Sequence, residues 1–341
     1  MDSLTQVVLG AAVAEAVGGR KMGNRAPLWG AIAGTIPDLD VFLRLIYDPV
    51  NAMFLHRGFS HSIVFAFLFS PFLAYIIYRI YNKKYSIRML LKLSFFSIIT
   101  HPLLDMFTNF GTQLFWPFDY RVSLNTIFVI DPLYTIPFLV FLLITLFLKK
   151  ESLIRKRLNR VSLFLSCSYL LVGCLIKIYI HSKTDEKYNS LDILPDRTIT
   201  VPMPLTSFYW FSLAEGEEAF YFSYESLFYS FNQKDIDTIQ KNHFLLEQRG
   251  VMRNPQVLKI IKMSKNYYSV KEVGNNLLIY DLRFGNSSKI SAGKQKEPVW
   301  GYLLHFNKNK LTKINPKKPN YSSSLDFSNY LRTIFSENNY E

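Results

Sequence analysis

Through its first half the chain alternates long apolar runs with short polar breaks, and it loses that rhythm after about residue 181. Four apolar segments are clear, at about 62–81, 87–104, 127–148 and 161–180. Each has roughly the 17–25 residues that a helix needs to cross a bilayer. Two weaker segments, about 3–19 and 27–45, come first and contain Gly10, Gly18, Gly19, Gly30 and Gly34 together with Glu15 and the stretch Pro37-Asp38-Leu39-Asp40. They read as glycine-rich helices packed closely on neighbours, because small residues let backbones approach. Partial or re-entrant segments are the alternative. The pattern predicts an α-helical membrane bundle over 1–181, with four clear spans and two weaker N-terminal segments.

Beyond that point "RTITVPMPLTSFYWFSLAEGEEAFYFSYESLF", "NNLLIYDLRFG" and "PVWGYLLHF" are rich in β-branched and aromatic residues and are separated by short turn signals. They predict a β-rich or α+β extramembrane domain over 182–341. From "NPKKPNYSSSLDF" onward a loop and a short terminal helix are expected.

The net charge of +13 in 341 residues would suit a nucleic-acid partner. In a multi-span chain, however, basic loops mark the cytoplasmic side, and no DNA- or RNA-binding signature accompanies the charge; no nucleic acid is expected. Three loops carry it: Arg20, Lys21 and Arg25; Lys83, Lys84 and Arg88; and Lys149, Lys150, Arg155, Lys156, Arg157 and Arg160. Assigning all three to the cytoplasm sends Asp38, Asp40, His56, Arg57, His61, His101 and Asp105 to the outer end, with the C-terminal domain beside them. The two cysteines, Cys167 and Cys174, are about two helical turns apart, roughly 10 Å, too far for a disulfide, and read as packing residues. The opening Met1-Asp2-Ser3-Leu4-Thr5 lacks the basic start of a cleavable signal peptide, so the first segment is expected to be retained.

The polar residues at the outer end are the candidate chemistry. His101 and Asp105 are four apart and share a helix face. His56 and His61 flank Gly58, and Asp38 and Asp40 follow Pro37. Singly, each has an ordinary reading: a hydrogen-bonded interfacial histidine, an N-cap for Asp38, a snorkelling Arg57. Together, three of the six histidines and three aspartates converge within three short motifs, and imidazole plus carboxylate is a donor set for divalent metals. Ser60, Ser62, Thr100 and Thr108 are candidates to orient these ligands, as is Gln6 near the outer end of the first segment. Glu15 lies deeper and is expected to be hydrogen-bonded within the bundle. Asp119, Arg121 and Asp131 lie at or near the same face, where structural ion pairs are the expected role.

The stretches "MDSLTQVVLGAAVAEAVGGRK", "WGAIAGTIPDLD", "FLHRGFSHS", "THPLLDMFTNFGTQLFWPFDYR" and "IFVIDPLYTIP" resemble, in order over about the first 140 residues, the YdjM-like membrane-bound metal-dependent hydrolases, a family described as LexA-binding and inner-membrane-associated. Many members carry Thr-His where this chain has Thr5-Gln6, which removes one histidine donor and leaves the number of metals open. The resemblance implies a multi-span inner-membrane protein with hydrolase activity and no settled substrate.

The resulting expectation is a hydrolase with His56, His61, His101 and Asp105 as preferred ligands of Zn, Mn or Fe. Asp38 and Asp40 serve as further ligands, or one of them as general base. The metal would activate water, and Arg57 would stabilise developing negative charge. Membrane lipids are the expected surroundings, and a lipid or lipid-linked phosphodiester the expected substrate. A metal or proton transporter and a metal-stabilised scaffold are the rivals. Membrane di-iron desaturases need more histidines than this chain has.

Overall fold

In the computed structural model the described residues are 1–228, 236–286, 297–317, 330, 334 and 335. They form two compact units: Met1–Leu43 with Leu55–Cys174, and Arg44–Phe54 with Leu175–Glu341.

The first unit begins with α1 (Ser3–Met22), capped by Asp2, whose carboxylate accepts the Thr5 N–H at 3.0 Å. The chain turns at Gly23 and returns as α2 (Arg25–Thr35). These helices meet through glycines. A Cβ on Gly30 would lie 2.2 Å from the Gly10 carbonyl oxygen, and one on Gly34 would lie 2.7 Å from that of Gln6. Only hydrogen fits at these positions, so the two backbones are in direct contact. A 3₁₀ helix, Pro37–Leu45, follows, and then α3 (Pro49–Leu55), which through Phe54 belongs to the second unit.

Back in the first unit, Ser62 caps α4 (Ile63–Ile80) by accepting the Phe65 N–H at 3.0 Å. α5 (Ile87–Asp105) carries Ser97, whose hydroxyl donates to the Gly10 carbonyl. Next come α6 (Pro132–Phe147) and α7 (Leu153–Ser190), which passes from the first unit into the second. Glu15 of α1 and Arg155 of α7 form a buried two-pronged ion pair with both contacts at 2.7 Å, which meets the expectation that Glu15 is bonded inside the bundle.

Among the described residues three helices, α4, α5 and α7, are long and apolar enough to cross a membrane. These account for three of the four expected clear spans. The segment expected over 127–148 becomes helical only at Pro132, because Asp131 caps the helix and proline takes its first position. That leaves 16 apolar residues, about 24 Å of helix, against a hydrocarbon core of about 30 Å. Cys167 and Cys174 are free thiols, and Cys167 is exposed rather than packed.

The second unit carries two four-stranded antiparallel sheets. The first joins β1 (Arg197–Pro202), β2 (Tyr209–Glu215), β3 (Ala219–Ser226) and β4 (Ile236–Gln240) in chain order. After α8 (Phe244–Gln248) and α9 (Pro255–Met263), the second joins β5 (Tyr268–Val273), β6 (Asn276–Asn286), β7 (Pro298–Asn307) and β8 (Lys310–Lys317). One core mixes Phe211 and Phe222 of the first sheet with Leu278 and Leu282 of the second. Another packs α9, β5 and β6 around Val50 of α3. All three stretches expected to be strands are strands. Of the expected C-terminal loop and helix, Asn315–Lys317 close β8, and the rest lies, apart from residues 330, 334 and 335, outside the described residues.

Candidate metal centre

The end of α5 supplies two donors. His101 and Asp105, one turn apart, are both buried. His101 Nδ1 lies 2.5 Å from the Gly34 carbonyl oxygen. A carbonyl only accepts, so Nδ1 carries the proton and the neutral ring presents Nε2 as a bare lone pair.

His61 sits in a short 3₁₀ turn, Phe59–His61, just before α4. Its Nδ1 lies 2.9 Å from Ser60 Oγ. The Ser60 hydroxyl already donates to Asp40 Oδ2 at 2.7 Å, so it accepts from His61, and His61 Nε2 is also bare.

The two Nε2 atoms face each other at 3.1 Å. Asp38 Oδ1, from the 3₁₀ helix after α2, stands 3.4 Å from both. Asp105 Oδ2 stands 3.5 Å from His61 Nε2 and 3.8 Å from His101 Nε2. Three acceptor atoms, His61 Nε2, His101 Nε2 and Asp38 Oδ1, thus converge within 4.8 Å of one another, with Asp105 Oδ2 beside the two imidazoles, and a cation among them would relieve their mutual repulsion. A second group, Asp38, Asp40 and His56, shares Asp38 with the first. His56 Nδ1 is 2.7 Å from Asp40 Oδ1, and its side chain is 27% exposed.

Arg57 holds the other side of Asp105. It is buried, at φ 59°, in the left-handed region that costs a non-glycine residue energy. Its N–H donates to Asp40 at 3.1 Å, its Nε lies 3.0 Å from Asp105 Oδ2, and its Nη1 donates to Thr108 at 2.8 Å. Gln6 Nε2 donates to Asp105 Oδ1 at 2.9 Å, as does the Met1 amino group. Arg121 donates to the His56 carbonyl at 3.0 Å.

Two of the expected orienting residues, Thr100 and Ser62, do other work, and Asp119 and Asp131 also lie outside the cluster. Thr100 bonds back to carbonyls of its own helix, Phe96 and Ser97, because it lies about 100° around the helix from His101. Ser62 caps α4. Asp119 is exposed and accepts from Gln113. Asp131 caps α6 and accepts from Tyr169 at 2.9 Å. Two contributors escaped the sequence reading. Gly34 orients His101 through its carbonyl, and only the Gly30-x-x-x-Gly34 spacing hinted at a close contact there. Phe110 lies 5.3 Å from the Arg57 guanidinium and 5.8 Å from the His56 ring; nothing in the sequence marks it.

A family model described as YdjM inner membrane protein matches residues 1–181, more than half of the chain. The chain belongs to the YdjM inner membrane protein family. It is 31% identical over 142 residues to "Uncharacterized protein YfhP" of Bacillus subtilis (strain 168), covering 39% of this chain and 42% of that protein. It is 38% identical over 87 residues to "Inner membrane protein YbcI" of Escherichia coli (strain K12), covering 26% and 49%. The matches therefore span less than half the length of either relative. No solved structure matches.

In this YdjM-family chain the residues present suit a divalent cation. Tetrahedral bonds of about 2.0–2.2 Å place donor atoms roughly 3.3–3.6 Å apart, close to the 3.1 and 3.4 Å found among His61, His101 and Asp38. Asp105 Oδ2 is buried without a well-aligned hydrogen bond among the described residues, and the Arg57 guanidinium 3.0 Å away keeps it ionised and able to accept. The mixed nitrogen and oxygen set admits several transition metals.

Proposed function

We propose that this YdjM-family protein is an integral membrane, metal-dependent hydrolase whose His/Asp cluster opens at the outer face of the membrane and acts on a lipid or lipid-linked phosphodiester. The observation that carries this reading is the convergence of His61 Nε2, His101 Nε2 and Asp38 Oδ1, with Asp105 Oδ2 against the two imidazoles. Three of these residues are buried, whereas the Asp38 side chain keeps 26% of its surface exposed. A structural metal site is closed, whereas a catalytic one leaves room for water. The open edge at Asp38 and His56 favours the second kind.

His61, His101, Asp38 and Asp105 would hold the cation, which when bound lowers the pKa of its water toward about 7. Asp40 orients two imidazoles, His56 directly and His61 through Ser60. His56, turned by Asp40 and partly exposed, is placed to take up or return a proton at its Nε2. Arg57 pairs with Asp105 and Thr108, so its charge serves to position Asp105. Leu39, Phe42 and Phe59, within two residues of Asp38, Asp40 or His61 in sequence, carry large exposed apolar surfaces, which suits a substrate that carries an acyl or isoprenoid chain. The outward orientation draws on the three basic loops and the positive-inside rule.

Elemental analysis of detergent-purified protein tests the site. Stoichiometric metal in the wild type, lost in folded His61→Ala and Asp38→Ala variants, supports it. Turnover of a lipid phosphodiester that disappears with Asp38→Ala supports the hydrolase. Bound metal with no turnover and a fall in melting temperature on its removal would favour a scaffold instead.

A further inference from the structure

The first unit has a second polar concavity, separate from the His/Asp cluster. It lies at the other end of α1: Gln6 and Arg20 are 14 positions apart, about 21 Å along the helix. The cavity holds about 370 Å³ and is lined by the end of α1 and the beginning of α7, with Arg20, Lys21, Asn159, Lys156 and Arg160 in its wall. We propose that it binds a phosphate-bearing group that also carries a hydroxyl.

Its charge is uncompensated. Glu15, the buried acid in the wall, is consumed by Arg155, and Glu151 lies beside Lys150 at 3.7 Å. Arg20, Lys21, Lys156 and Arg160 are left with no side-chain hydrogen bond or ion pair among the described residues. Four cations gathered at one concavity repel one another until an anion enters. The first turn of α7 adds N–H groups with no helical acceptor.

Asn159 extends the assignment from charge to ligand shape. It is 2% exposed, and its Nδ2 donates to the Ala12 carbonyl at 2.9 Å, which fixes the amide orientation. Its Oδ1 is buried without a partner among the described residues and, as an acceptor, calls for a donor on the ligand. A phosphodiester bearing a glycerol hydroxyl supplies both features. The lining loops are those that the positive-inside rule assigns to the cytoplasm, where anionic headgroups collect in basic pockets between helices. Free phosphate shares the anionic half of this chemistry.

The test uses the full-length protein in phosphatidylcholine nanodiscs with or without phosphatidylglycerol, with lipid retention read by native mass spectrometry. The comparison is wild type against the triple variant Arg20→Gln, Lys156→Gln, Arg160→Gln, whose melting temperature in pure phosphatidylcholine should equal that of the wild type because these side chains are solvent-facing. Losing three charges should weaken phosphatidylglycerol binding on the order of 100-fold. Asn159→Leu should weaken it further without changing retention of phosphatidylcholine. Displacement of the lipid by millimolar inorganic phosphate would assign the site to free phosphate, and persistence of the lipid would assign it to the headgroup. Equal phosphatidylglycerol retention by wild type and triple variant, or no response to either probe, overturns the proposal.

Discussion

Gly34 and His101 form a single joint: the glycine's missing side chain lets α1 pass against α2, and its carbonyl, 2.5 Å from Nδ1, sets which histidine nitrogen faces the cluster. The helix contact and the candidate metal centre therefore share one residue.

Gly34→Ala should disturb both. Its Cβ would press on the Gln6 carbonyl at 2.7 Å and the Gly10 Cα at 3.2 Å, an overpacking that costs about 1–3 kcal/mol. We expect a lower melting temperature together with reduced metal content. Full metal occupancy at wild-type stability would show that the backbone contact does not set the site.

Ser60→Ala leaves every proposed ligand in place and removes the acceptor of the His61 Nδ1 proton. Loss of such a partner typically weakens metal affinity about 10–100-fold. Competition titration with a chromogenic chelator reads this directly, and unchanged affinity would mean that Asp40 alone orients the ring.

The Glu15–Arg155 pair predicts a strongly non-additive cycle. Glu15→Gln or Arg155→Met alone strands a buried charge and should cost about 3–5 kcal/mol, whereas the double variant should recover much of that loss. Thermal melts of the four proteins in one detergent provide the measurement. Simple addition of the two single losses would contradict it.

In the second unit, Glu297 accepts from Lys271 and Lys317, both at 2.8 Å, and these bonds hold its pKa down to about 2 against an ordinary 4.5. A depressed carboxylate stabilises the fold fully above its unfolded value and loses that contribution as pH falls through its folded value. The window therefore runs from pH 4.5 down to about 2. The group is partly exposed, so its contribution is about 1 kcal/mol or less. Glu297→Gln should flatten that part of the acid limb in melting temperature against pH and leave the neutral plateau slightly lower.

Much of the candidate centre was legible because helical spacing fixes direction. His101 and Asp105 had to share a face, and the short motifs around Asp38 and His61 each placed polar donors beside an apolar segment. The partners of those donors were not legible. Thr100 is next to His101 in sequence and about 100° away in space. The acceptor for His101 is a backbone carbonyl on another helix, and no side-chain pattern encodes that. The third apolar run is longer than the helix it forms, because Asp131-Pro132 marks a capped start. The residues after Asp40 offered no sign that Val50 would be buried against α9 and β6.

That placement of Val50 bears on how the protein can be dissected. Residues 44–54 lie in sequence between Asp40 and His56, yet α3 supplies Val50 to a core formed with Val257, Ile260 and Leu277. Cutting the chain after residue 181 would leave α3 without the residues that shield it. The linker joining two of the metal-centre motifs would then end in a sticky apolar helix. Expression of the family-matched region by itself should give a protein that aggregates through this segment, so a soluble C-terminal fragment and a well-behaved membrane fragment are not complementary halves of the molecule.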